Sequence, residues 1–409
     1  MSHSALSSRH QTKARQPDTS SSWASTAPTI ALLTALGILV VGQMYTVLAL
    51  LHPMARSLHT TPGQVTWTAT AFGFAYAAGF LVAGPLTDRY GPRAVMSAGL
   101  VAATAATGAA GTAPDLTWAV VLRVVQGLAA AAFAPAAFSY IAHRIAPSRR
   151  AIALTCVTSG MLGAAVLMQI AAQAVATGPG WRAVFLLSAA LMALSLPLVR
   201  RTLHPTPRPD TGGGLLHAFA AMPRLLRKGR LVALYAATVT LMAAFVALYT
   251  AVAVAGPPGV AGNPTAILAL RASALPALVA VPLLAPLLSR LAAPKRLVLA
   301  LGTAAVAVAA ASALGGHTIL LAVALLLFVA AVAAAAPAVV ETVNATAPHA
   351  RGAAVALYAC SMFIGASLGP QLAGALTGQG FSTILRAAAA GLLLGAALAG
   401  SALRRQPTE

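Results

Sequence analysis

The chain has little charge and almost no acid. Of 409 residues only 8% are Asp, Glu, Lys or Arg, and Asp and Glu together number 6 against 26 Lys and Arg. Soluble domains carry about 25% charged residues, so this chain lacks the polar side chains to cover a water-facing surface. Aromatics are scarce at 5%, and there are 2 cysteines. Cys156 and Cys360 both lie inside apolar runs, which excludes a disulfide framework and a Cys-based metal site. Phosphate-binding loops and zinc signatures are missing, so neither direct ATP hydrolysis nor a resident cofactor or metal is expected.

What is abundant is apolar: 59% of side chains. From about residue 29 the chain repeats one pattern, in which runs of about 18–26 apolar residues are broken by short polar or Gly/Pro-bearing links. Each run can cross about 30 Å of hydrocarbon. Twelve are counted, at 29–51, 65–86, 94–112, 116–140, 151–175, 182–199, 231–254, 265–288, 297–315, 318–341, 352–374 and 382–403. They lack period-2 alternation, and backbone groups in lipid must bond within their own segment, so the spans are helices rather than barrel strands. The expected fold is an all-α polytopic membrane protein. Residues 1–28 form a polar tail, predicted disordered and not a signal peptide, and 404–409 a second tail.

The formal charge of +20 would suggest a nucleic-acid partner on a soluble chain. Its distribution excludes that. In a twelve-span arrangement Arg56, Arg182 and Arg386 fall on one face, Arg123 and Arg271 lie within spans, and every other basic residue falls on the opposite face. The positive-inside rule then places both termini and the 200–230 link in the cytoplasm. That link separates two six-span halves, 29–199 and 231–403. Its Leu215–Arg230 part is read as an amphipathic helix on the inner membrane surface, or as a solvated basic tether.

The halves echo one another. Gly84-Pro-Leu-Thr-Asp-Arg89 corresponds to Ala285-Pro-Leu-Leu-Ser-Arg290, Ala146-Pro-Ser-Arg-Arg150 to Ala347-Pro-His-Ala-Arg351, and Ala134-Pro-Ala136 to Ala336-Pro-Ala338. Matches in register on equivalent helices imply a duplicated six-helix unit with both copies in the same orientation, an architecture of alternating-access carriers.

The loop after the second span, Gly84-Pro-Leu86-Thr-Asp88-Arg89-Tyr-Gly91-Pro-Arg93, resembles a signature of the major facilitator superfamily, as do Arg123-Val-Val-Gln126-Gly127 in span 4 and Gly180-Trp-Arg-Ala-Val-Phe185 at the start of span 6. The resemblance extends over 29–403 and is nearest to bacterial drug and small-molecule efflux members. Two departures stand out: Pro92 replaces a usual basic residue, and span 5 lacks the Gly-Pro element of many antiporters. The resemblance implies a secondary carrier of a bacterial inner membrane, monomeric, with a small-molecule substrate, protons as coupling ion and no nucleic acid. It also implies that Asp88, in a gate with Gly84, Arg89, Gly91 and Arg93, faces the start of helix 11 near Arg351 and Gly352. A carboxylate at a positive helix end is stabilised by about 0.3–1 kcal/mol.

Several residues carry open alternatives. A charge at helix centre costs about 2.5–3.5 kcal/mol, so Arg123 needs a wet cavity or a partner. It shares a face with Gln126, and Gly127 admits a neighbouring helix. The resemblance implies proton coupling or substrate binding for Arg123; the alternative is a buried Arg bonded to helix-end carbonyls. Arg271 either snorkels to the outer interface or contacts substrate. Glu341, the acid placed inside a span, forms an inner-gate salt bridge with Arg290, Lys295 or Arg296, or carries protons. Gln43, Tyr45, Tyr76, Gln169, Tyr249, Arg271 and Tyr358 are candidate cavity residues, with interhelical glue as the other role.

Span 10 is nearly all Ala, Leu and Val before Glu341, which favours a lipophilic or amphipathic substrate. Uptake or facilitated passage of a metabolite is the alternative to efflux. An intramembrane enzyme is disfavoured: Gly365-Ala-Ser-Leu-Gly369 fits the nucleophile-elbow pattern but lies inside an apolar helix. A non-transporting receptor would want a soluble sensor domain, for which no segment is seen.

Overall fold

The computed structural model describes residues 23–205 and 222–404, apart from 258, 261–262, 289, 314–316 and 349. Every regular element among them is helical. Before the linker come α1 (Thr26–Thr46), α2 (Pro62–Tyr90), α3 (Pro92–Ala110), α4 (Leu116–Arg144), α5 (Pro147–Ala176) and α6 (Trp181–Thr202). After it come α7 (Gly229–Ala255), α8 in two pieces (Pro264–Ala272 and Leu275–Leu288), α9 (Ala293–Ala313), α10 (Thr318–Thr346), α11 (Arg351–Ala375) and α12 (Phe381–Arg404).

Among the described residues, nine helices are long and apolar enough to cross a membrane, and α5, bent by 42°, makes a tenth if its two parts form one span. The remaining two apolar runs fold differently for local reasons. The sequence of α3 is diluted by Gly, Thr and Ser, and α8 breaks at Ser273–Ala274 into pieces of 9 and 14 residues. Of the expected tails and linker, 1–22, 206–221 and 405–409 lie outside the described residues. The linker resumes as a helical turn at 222–226 that buries Met222 and Leu225 and exposes Arg224.

Helix ends follow the local chemistry. Thr61 and Gln64 form a capping box ahead of Pro62 at the start of α2, and Asp115 caps α4 by accepting from the Trp118 N–H at 2.9 Å. Gly91 holds φ 83° between α2 and α3, a conformation that a Cβ disfavours. Gly180 and Gly380, at φ 90° and 85°, stand in equivalent places before α6 and α12.

Packing repeats the duplication. In the first half α1 runs along α5, α2 along α4, and α3 along both α4 and α6; in the second α7 runs along α11, α8 along α10, and α9 along both α10 and α12. Each pair maps onto its counterpart six helices later. Large apolar side chains point outward from the peripheral helices, such as Leu194 on α6, Val306 on α9 and Leu393 on α12, as a lipid-facing surface requires. Between the halves, the extensive contact is α2 against α11, with α5 meeting α8 opposite.

Candidate functional site

Inside the first half a polar chain joins four helices. Arg123 on α4 is 1% exposed. Its Nε–H donates to the Thr68 carbonyl of α2 at 3.1 Å, and Nη1 donates to Gln126 Oε1 at 2.8 Å. Gln126 Nε2 then donates to Thr107 Oγ1 of α3 at 2.7 Å and to Gln43 Oε1 of α1 at 3.4 Å. The guanidinium lies 4.2 Å from the centre of the Phe72 ring, a further attraction for a desolvated cation. Nη2 is buried without a partner among the described residues. Among the described residues no carboxylate joins this network, so hydrogen bonds and the rings of Phe72 and, at 6.0 Å, Phe185 hold a buried charge.

Gly127 sets the spacing that makes this possible. A Cβ at its position would lie 2.3 Å from the Phe72 carbonyl oxygen of α2, so only glycine lets the two backbones come this close. Gly127→Ala must push α4 away from α2 and stretch the bonds of Arg123. Overpacking costs about 1–3 kcal/mol, and a fall in the thermal transition of the purified protein checks it. Gly365 and Gly369 do the same for α11 on α7, with virtual Cβ atoms 2.3 Å from the Val239 oxygen and 2.6 Å from the Ala243 oxygen. The segment that fits a nucleophile-elbow pattern is thus a small-xxx-small packing motif, and Ser367 within it is buried, its Oγ donating to the Phe363 carbonyl at 2.7 Å.

Between the halves, α2 and α11 form an antiparallel seam away from the basic face. Thr70 Oγ1 donates to the Ser367 carbonyl at 2.8 Å, and Gln371 Nε2 donates to Thr66 Oγ1 at 3.2 Å and Thr70 Oγ1 at 3.0 Å. Further along, Tyr76 meets Phe363 at 4.1 Å between ring centres and Phe80 meets it at 6.2 Å. Beyond Phe80, toward the basic face, no hydrogen bond or ring contact joins the two helices among the described residues. A Cβ added at Gly84 or at Gly352 would meet nothing within 4 Å. The hydrogen bonds and ring contacts of the seam thus lie toward the far face, between Thr66 and Phe80 on α2.

Asp88 and Arg89 are exposed, and Asp88 makes no hydrogen bond or ion pair among the described residues. The side chain of Arg351 is outside the described set, as is Ser289. Gly84 has open space beside it, and Gly91, at φ 83°, makes the turn between α2 and α3. Arg93 donates to the Arg200 carbonyl at 2.8 Å, so it caps the end of α6 rather than reaching the other half. Glu341 pairs with Arg296 at 2.7 Å, not with Arg290, because α9 and α10 pack side by side; both partners belong to the second half, so the bond does not cross between halves.

The candidate cavity residues are mostly sealed here. Gln43, Tyr45, Tyr76, Gln169, Tyr249 and Arg271 are buried, and Tyr358 is partly exposed. The Tyr76 and Tyr249 hydroxyls find no partner among the described residues. Arg271 neither snorkels nor faces water. It is 1% exposed and donates to Gln173 Oε1 of α5 at 3.1 Å and to the Leu48 carbonyl at 3.3 Å. Sequence reading missed Gly73, Thr66, Thr70 and Gln371 as seam residues, although small and polar residues at 63, 66, 70 and 73 recur at helical three-to-four spacing.

Two like-built helical halves, packed together along α2 and α11 and crossed by apolar helices long enough to span a membrane, define a polytopic helical membrane protein. Residues 32–270 match the Major Facilitator Superfamily model, and the chain belongs to that family. A tetracenomycin C resistance and export protein of Streptomyces glaucescens is 29% identical over 163 residues, 39% of this chain and 30% of the relative. A lincomycin resistance protein of Streptomyces lincolnensis is 31% identical over 210 residues, 48% of this chain and 42% of the relative. The chain thus spans less than half the length of these curated relatives. Its fold is shared with a crystal structure of a bacterial homolog to the human lysosomal transporter Spinster, described as inward-facing and unoccupied: TM-score 0.72, 17% identity, 93% of this chain and 98% of that one.

Proposed function

We propose that this protein exports a small lipophilic or amphipathic molecule across a bacterial inner membrane, driven by protons, as a monomer whose halves 29–199 and 231–403 rock against each other. The observation that carries the reading is the seam of α2 and α11, bonded from Thr66 to Phe80 and without such contacts beyond Phe80 among the described residues, which we read as a carrier open on the basic face. With the basic face and both termini placed in the cytoplasm by the positive-inside rule, this is the state that loads substrate from inside. Efflux is favoured by the resistance and export named for two relatives. A lipophilic substrate suits the apolar length of α10 and the aromatic cluster of Phe72, Tyr76, Phe80 and Phe363 at the closure.

Among the described helices the carboxylates are Asp88 and Glu341. Glu341 is held by Arg296, which leaves Asp88 as the acid that changes surroundings when the inner end closes. In proteoliposomes with an imposed pH gradient, a lipophilic cation or phenolic compound is expected to move against its own gradient while protons flow down theirs. Asp88→Asn is expected to slow cycling about fivefold while leaving substrate binding within about twofold, since an N-terminal helix charge interaction of about 1 kcal/mol is lost only in the closed state. Flux that ignores the pH gradient would reject proton coupling, and normal turnover in Asp88→Asn would reject the latch.

A further inference from the structure

We propose that Arg271 is the lock of the outer gate, holding the two halves together on the far face through acceptors that both belong to the opposite half. A cation within a span is costly, and Arg271 is 1% exposed, so it does not snorkel to water. The structure supplies the compensation. Gln173 sits near the end of α5, and the Leu48 carbonyl belongs to the turn Val47–Ala49 that ends α1. Carbonyls at a helix C-terminus have no partner within the helix and carry the negative end of its dipole. Arg271, reaching from the first piece of α8, meets that need in trans.

The location strengthens the inference. The contact of α5 with α8 is the counterpart, six helices on, of the contact of α2 with α11. The α2–α11 side of the closure is made by neutral groups, Thr66, Thr70, Ser367 and Gln371. The α5–α8 side carries a permanent charge, and Arg keeps its proton at any physiological pH. When the far face opens, both acceptors and the guanidinium are released to water, so the bonds distinguish one conformation from the other. That is the requirement for a group that shifts the equilibrium.

The inference rests on alternation between the two states but not on export, and its test needs no substrate. Thr66→Cys, in a background with Cys156→Ala and Cys360→Ala, places a thiol in the closed seam, where Thr66 is 0% exposed. A membrane-impermeant maleimide applied to the far face then labels it only when that face opens. Arg271→Met is expected to raise the labelling rate about tenfold, the worth of a charge-assisted hydrogen bond net of hydration. Gln173→Glu is expected to slow it by a similar factor, with the slowing lost as external pH falls through the carboxylate range. In the Arg271→Met background Gln173→Glu is expected to have no effect. An unchanged rate in Arg271→Met, or equal slowing by Gln173→Glu with and without Arg271, overturns the proposal. If Arg271→Met fails to fold, Gln173→Glu decides alone: a rate that it does not slow, at any pH, contradicts the lock.

Discussion

Gln126→Leu is expected to destabilise the protein by about 3–5 kcal/mol, the cost of stripping a partner from a buried charge. The amide of Gln126 is the side-chain acceptor bonded to Arg123 and the link onward to Thr107 and Gln43. Leucine matches its bulk but leaves the guanidinium with the Thr68 carbonyl and a ring face. Arg123→Met is expected to do less harm, because it removes the charge whose burial costs about 2.5–3.5 kcal/mol while leaving Gln126 Oε1 unsatisfied at about 1–3 kcal/mol. These nearly offset. The double variant is therefore expected to recover most of the stability lost in Gln126→Leu, measured as the thermal transition in detergent. Transport is expected to fall at least about tenfold in Arg123→Met although the fold survives, and Arg123→Lys is not expected to rescue it, since an ammonium lacks the fork that spans Thr68 and Gln126. If Arg123→Met destabilises as much as Gln126→Leu, Arg123 is structural glue.

Gly73→Leu is expected to block the cycle without unfolding either half. A Cβ at Gly73 would lie 2.0 Å from Ser367 Oγ, 3.1 Å from Ser367 Cβ and 2.9 Å from Met44 Cε. Ser367 belongs to the other half, and the same-half neighbour is the flexible end of Met44, so most of the strain falls on the seam and is relieved by separating α2 from α11. Overpacking of about 1–3 kcal/mol shifts the equilibrium by about tenfold to a hundredfold toward the outward-open state. Flux is expected to fall accordingly, with the thermal transition near that of the native protein and the far face open to a thiol reagent at Thr66→Cys. Gly127→Ala provides the contrast. Its clash is with Phe72 in the same half, where no rigid-body motion relieves it, so stability falls instead.

The contrast between these glycines also marks what could be read from the sequence. Arg123, Gln126 and Gly127 lie on one helix at spacings of three and four, so their shared face and the role of Gly127 as a point of close approach were legible. The apolar runs were legible because hydrocarbon thickness fixes a length, and the duplication because its echoes fall at equal offsets. Arg271 was not. Its acceptors stand 98 and 223 residues away in the chain, and only the docking of one half on the other brings them near. Arg93 escaped for the same reason: its acceptor is a backbone carbonyl of α6, which no side-chain pattern marks. The tyrosines and glutamines expected along a wet path are buried because most of them lie toward the far face, which is the closed one here. The break in α8, like the turn at Ala131–Ala132 that interrupts α4, spans one or two residues, which hydropathy over a whole span averages away.

Alternation itself is tested most directly by sealing the seam. A Cβ at Gly374 of α11 would lie 3.3 Å from Thr66 Oγ1 across the two halves, so Thr66→Cys with Gly374→Cys, in the Cys156→Ala and Cys360→Ala background, places two thiols within disulfide reach on the far face. In proteoliposomes carrying a lipophilic dye that the native protein moves, oxidation is expected to reduce flux to background and a reductant to restore it, because the inner end stays open and the outer end cannot part. Undiminished flux through fully cross-linked protein would contradict alternating access by these two halves.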